Sequence, residues 1–103
     1  MAIPQPKENR HAYHLYTVQI DEKKTGFNRD DFIKKLHNKN IGTGVHYLSI
    51  PEHPYYKKKY KWKTKDYPNS LKIGRQTVSL PLSSKLSSNE IKYIVNVVKE
   101  LFK

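Results

Sequence analysis

Residues 77–102 read TVSLPLSSKLSSNEIKYIVNVVKELF, a strand signal followed by a capped-helix signal. Thr77 to Leu82 carries β-branched and apolar types, and Pro81, having no N–H to donate, requires this end to lie at an edge or beyond the ladder. Ser87 and Glu90 have the S-x-x-E spacing of a capping box, in which hydroxyl and carboxylate each satisfy a free backbone N–H. Leu86 and Ile91 add a hydrophobic staple across that cap. Beyond it Ile91, Ile94, Val95, Val98, Leu101 and Phe102 recur at three- and four-residue steps, one helical stripe that must dock on something.

Upstream, Ala12 to Ile20 (AYHLYTVQI) is rich in aromatic and β-branched types and predicts a first strand, followed by a charged turn over Asp21 to Gly26. Asn28 offers a side-chain oxygen to cap a helix starting at Arg29, with Phe27 and Phe32 placed to staple it. Phe32, Ile33 and Leu36 keep one face of that helix apolar, and NKNIG stops it around Gly42. Val45 to Ile50 predicts a second strand. Pro51 and Pro54 are then expected to exclude both ladder and helix, leaving Glu52 to Asp66 (EHPYYKKKYKWKTKD) as a long loop before a short helix around Pro68 to Gly74. The order predicts an α+β fold: a small antiparallel sheet of about three strands with helices packed on one face.

A chain of 103 residues reads as one domain, large enough for a modest core. Hydrophobic residues at 36% and charged residues at 28% place it among folded proteins rather than disordered tails. The absence of Cys excludes disulfides, a thiolate zinc site and a cysteine nucleophile. Met1 to Arg10 is polar, with no apolar core of a signal peptide, and no run approaches ~18 consecutive apolar residues, so a cytoplasmic chain outside the membrane is expected. The formal charge of +11, from 20 Lys and Arg against 9 Asp and Glu, favours anionic partners without choosing among nucleic acid, an acidic protein and a nucleotide diphosphate. A lysine-rich composition also gives this balance with no binding role.

The chemistry-bearing residues are sparse. Five histidines invite a metal, yet no cluster with Asp or Glu has ligand spacing. No serine lies in a nucleophile elbow, and there is no Walker loop or G-x-G-x-x-G fingerprint. A Schiff-base lysine needs a buried, pre-organised setting, whereas the lysines here lie mostly in polar runs. The loop where Tyr55, Tyr56, Tyr60 and Trp62 alternate with lysines is the main candidate for nucleic acid, since bases stack on rings while lysines neutralise phosphates. The same rings could equally fold back over the core with the lysines outward.

Taken in order, HAYHLYTVQI, RDDFIKKLHNKNIGTGVHY, HPYY, DYPNS and TVSLPLSSKLSSNEIKYIVNVVKELF resemble the C-terminal domain of the DegT/DnrJ/EryC1/StrS family of pyridoxal-phosphate (PLP)-dependent nucleotide-sugar aminotransferases, of the spore coat polysaccharide type. The resemblance implies a fold type I enzyme that moves an amino group from glutamate to a nucleotide-linked keto-sugar. It also implies that the Schiff-base lysine, the phosphate ligands and the acid facing the pyridine nitrogen belong to a large domain absent from this chain. PLP is thus expected in the complete enzyme and not on this chain alone, which should not transaminate by itself. His46 and Tyr47 match the family's V-H-Y stretch, which implies contact with the nucleotide-sugar substrate; after it, Ser49, Ile50 and Pro51 stand where the family usually has Pro-Leu-His. The implied partner is the large PLP-binding domain, in cis or as a separate chain. An isolated piece should self-associate through the surface that domain would cover. A basic module binding nucleic acid or another anion without catalysis is the competing reading, with nucleic acid the less favoured partner, and a remnant without a ligand is a third.

Overall fold

The computed structural model describes residues 7–103; the polar start at 1–6 lies outside the described residues. Strand β1 (Tyr16–Gln19) and strand β2 (Thr77–Leu80) pair antiparallel, with Val18 opposite Val78. β1 is shorter than the alternation from Ala12 suggests, because Tyr13 takes a left-handed backbone (φ 50°) and its N–H donates to His11 Nδ1 at 2.8 Å. That conformation breaks an extended strand before it reaches the ladder.

Between the strands run α1 (Glu22–Thr25), α2 (Arg29–His37), α3 (Pro54–Tyr60) and α4 (Pro68–Gln76). The expected charged turn contains one helical turn, capped by Asp21 and closed by Gly26 at φ 75°. α2 starts where the sequence predicts, with Asn28 accepting from the Asp31 N–H at 3.0 Å and the Phe27 and Phe32 rings stacked 6.1 Å apart. Its end is set by Asn40 at φ 58° rather than by Gly42, and the Ile41 N–H returns to the Leu36 carbonyl at 3.0 Å.

The expected sheet of about three strands is corrected to two. None of the second predicted strand, Val45 to Ile50, pairs; Gly44 just before it makes a single bridge, exchanging N–H and carbonyl bonds with Ser79 at 3.1 and 2.8 Å. Two residues later the His46 ring folds back against Gly44 and bonds the Ser79 side chain, so the chain leaves the ladder after one bridge. The expected loop after Pro51 is also corrected, since it contains α3. Pro54 is the first residue of that helix, where its missing N–H is one that no intrahelical carbonyl would bond.

The chain ends in α5 (Ser88–Leu101), with the capping box formed: Ser87 N–H and Oγ both meet Glu90 Oε2 at 2.7 Å. α2 and α5 close over the sheet through a core of Ile20, Phe32, Leu36, Ile41, Val78 and Val97, flanked by Val18, Ile94, Val98 and Leu101. Ile91 and Val95, expected in the docking stripe, are left about half exposed, and Val97 takes the buried place. Phe102 keeps its contact by stacking on Phe27 at 5.5 Å and tilting against Phe32 at 5.6 Å.

Candidate functional site

Ser79 sits in the middle of β2 and is 5% exposed. Its backbone is held by Gly44, and its hydroxyl meets His46 Nδ1 at 2.7 Å. The close approach depends on Gly44, since a Cβ there would stand 2.7 Å from His46 Cε1. His46, half-buried, thereby becomes one wall of a shallow groove of about 340 Å³, with His14, Leu15, Thr43, Leu80 and Leu82 among the others.

The two residues implied by the resemblance are adjacent but differently placed. His46 lines the groove; Tyr47 does not, and is 70% exposed with its ring edge-on to the imidazole at 4.8 Å. The segment continues with Leu48 and Ile50, both about half exposed, so an apolar ridge runs beside the groove. Its far end is anchored: Ser49 Oγ meets Ser70 Oγ at 2.8 Å, and Gly74 of α4 packs directly under the Ser49 backbone. Glu52 then takes the Arg75 guanidinium at 3.2 Å. Sequence reasoning misses Ser79, Gly44 and His14 as neighbours of His46. The only signal for Ser79 is its place in the SLPL segment, because its partner lies 33 residues away.

A second groove, about 410 Å³, lies between Ile20, Asn28, Arg29, Arg75 and Gln76. Its Arg29 is committed to Asp30 and to the Gly74 and Thr77 carbonyls, so it serves to tie α2 to the α4–β2 junction.

The aromatic and lysine-rich segment forms a cluster of its own. Trp62 stacks on Tyr56 and Tyr60 at 5.8 and 5.4 Å and tilts against Tyr67 at 5.4 Å. Lys59 lies over the Tyr55 and Tyr60 rings, and Lys57, Lys58, Lys61, Lys63 and Lys65 project into solvent. The rings thus pack mainly on one another, between the residue 50–52 turn and α4, and not on the core.

Every described lysine is exposed, so none has the desolvated setting a Schiff base requires. The described residues of this chain do not fit PLP attachment. Among the described residues no group of three or more His, Asp or Glu can hold a metal ion, and no helix is long and apolar enough to cross a membrane.

The DegT/DnrJ/EryC1/StrS aminotransferase family matches residues 1–99. The spore coat polysaccharide biosynthesis protein SpsC of Bacillus subtilis (strain 168) is 39% identical over 97 residues, covering 93% of this chain and 25% of SpsC. The UDP-4-amino-4-deoxy-L-arabinose–oxoglutarate aminotransferase of Shewanella sediminis is 32% identical over 98 residues, covering 91% of this chain and 25% of that protein. Among solved structures, Spr1654 from Streptococcus pneumoniae, named as a candidate sugar aminotransferase, matches in its PMP form with a TM-score of 0.74 at 28% identity, over 85% of this chain and 22% of that one. Its PLP form matches with a TM-score of 0.71 at 26% identity, over 87% of this chain and 24% of that one. The chain spans about a quarter of the length of the curated relatives it matches.

Proposed function

The chain belongs to the DegT/DnrJ/EryC1/StrS aminotransferase family, and from that premise we propose that it is the C-terminal subdomain of a PLP-dependent enzyme transferring an amino group from glutamate to a nucleotide-linked keto-sugar for polysaccharide synthesis. One observation carries the reading: a chain matching an aminotransferase family from residue 1 to residue 99 has no buried lysine among its described residues. The groups that attach and tune PLP therefore belong to the remaining three quarters of the enzyme, in cis or on a separate chain. PLP is the cofactor of that complete enzyme, and this chain contributes a wall of the substrate site.

Within that wall, His46 offers a ring nitrogen to the groove, and Tyr47 offers a phenol on the exposed ridge beside it. Both are hydrogen-bonding groups suited to the oxygens of a nucleotide-linked sugar. The bare apolar residues around them, Val45, Leu48 and Ile50, fit a surface that the large domain covers. Exposed in an isolated chain, they favour self-association. The setting is cytoplasmic, where nucleotide sugars and PLP are available.

The test is an amino-transfer assay on the native form isolated from source cells, following 2-oxoglutarate made from glutamate. Turnover should require a nucleotide-linked keto-sugar, and His46→Ala should raise KM about tenfold, the worth of one well-placed hydrogen bond. The 103-residue chain alone should give no turnover. Turnover by that chain alone, or a native form indifferent to keto-sugars, would sink the proposal.

A further inference from the structure

The hydrogen bond between Ser79 and His46 has a direction that the surrounding groups decide. Ser79 is 5% exposed, and its Oγ has one hydrogen-bond partner among the described residues, His46 Nδ1 at 2.7 Å. If Nδ1 carried the proton, the serine hydroxyl hydrogen would have no acceptor among the described residues, a loss that reaches about 1–3 kcal/mol for a fully buried donor. If the hydroxyl donates, both members of the pair are satisfied and the proton of the neutral imidazole sits on Nε2. Nε2 has no partner among the described residues, and the ring lines the groove. Gly44 completes the seat, because any side chain there would displace the ring.

We infer that Ser79 is a positioning residue for His46: its hydroxyl donates to Nδ1, fixes the Nε2–H tautomer, and so presents an oriented donor to the groove. This rests on the reading of the groove as part of the substrate site, and it names what the site selects there. A neutral N–H donor recognises an acceptor oxygen, either a phosphate oxygen or a sugar carbonyl or hydroxyl oxygen of the nucleotide sugar. The serine acts through the histidine and touches no substrate itself. A buried strand serine with a histidine above it is a rigid support, so the ring keeps its place when the groove is empty.

The experiment uses the 103-residue chain with heavy-nitrogen-labelled histidine, at about pH 8 where an ordinary imidazole is neutral. Long-range proton–nitrogen spectra report the tautomer of each ring, and His46→Asn identifies the His46 signals. The wild-type chain should show His46 as the Nε2–H tautomer alone. Ser79→Ala should give a mixture of both tautomers, while Ser79→Thr, which keeps the hydroxyl on a strand residue, should restore the single form. In the native form that turns over keto-sugars, Ser79→Ala should raise KM about fivefold, with no further rise when added to His46→Asn. A wild-type Nδ1–H tautomer, or a Ser79→Ala spectrum matching the wild type, would overturn the inference. A serine-dependent Nε2–H form with an unchanged KM in the native form would support the Ser79 assignment and overturn the substrate reading instead.

Discussion

Three glycines show how differently one residue type can be constrained. At Gly74 an added Cβ would stand 2.7 Å from the Ser49 backbone nitrogen, which no side-chain rotation relieves. Gly74→Ala should therefore cost about 2 kcal/mol in urea unfolding, by overpacking a buried helix contact. At Gly44 the obstructing atom is the tip of the His46 ring, so Gly44→Ala should cost about 1 kcal/mol and move the imidazole off Ser79. At Gly42 nothing lies within 4 Å, and Gly42→Ala should be neutral or slightly stabilising. Equal losses at all three positions would contradict this ordering. None of it is legible in the sequence, where GTGV gives no sign of which glycine is pressed and which is free. His46 is a candidate only through the resemblance, and its serine partner was not legible, because the contact joins segments far apart in the chain.

At the scale of elements, the caps were the most legible feature, because a cap is a short-range arrangement of named side chains. Asn28 and Ser87 both act where the spacing puts them. Ser87→Ala should cost about 1 kcal/mol. It should also flatten the acid limb of the stability profile. The Ser87 hydroxyl first, and its backbone N–H second, hold the Glu90 carboxyl below the ordinary carboxylate value. A depressed folded-state value means that the contribution is full above the unfolded-state value and is lost as pH falls through the folded one. Comparing wild type and Ser87→Ala across the acid range should show a smaller fall in the variant, which keeps only the backbone N–H bond to Glu90. The third strand and α3 escape sequence reasoning for opposite reasons. An apolar β-branched run predicts strand until a tertiary bond, here His46 to Ser79, pulls it out of the ladder. A proline reads as a helix breaker until it occupies the first turn. The ring cluster on α3 is separate from the core, so Trp62→Ala should speed amide exchange across Pro54–Gln76 and leave β1, β2 and α5 slow. Exchange rising uniformly would show one cooperative unit instead.

For the whole molecule, the core is small: Phe32, Leu36 and Val78 are its only fully buried large side chains among the described residues. Phe32→Ala should cost about 4 kcal/mol, a large part of the roughly 5–15 kcal/mol that holds a domain together. Around that core lie bare apolar residues on the ridge from Val45 to Ile50 and on α5. These residues should drive concentration-dependent association of the chain in sedimentation, reduced by Leu48→Lys with Ile50→Lys. The fold class was legible because periodicity and caps are local; the family was legible only in the order of its motifs. Membership of a larger PLP enzyme is tested by capturing the native product from source cells with an antibody against α5, then determining its mass and its bound PLP by absorbance. Either one chain about four times longer than this one or a complex with a second chain is expected, with PLP in both cases. A 12.2 kDa species purified with no PLP-bearing chain would contradict that membership.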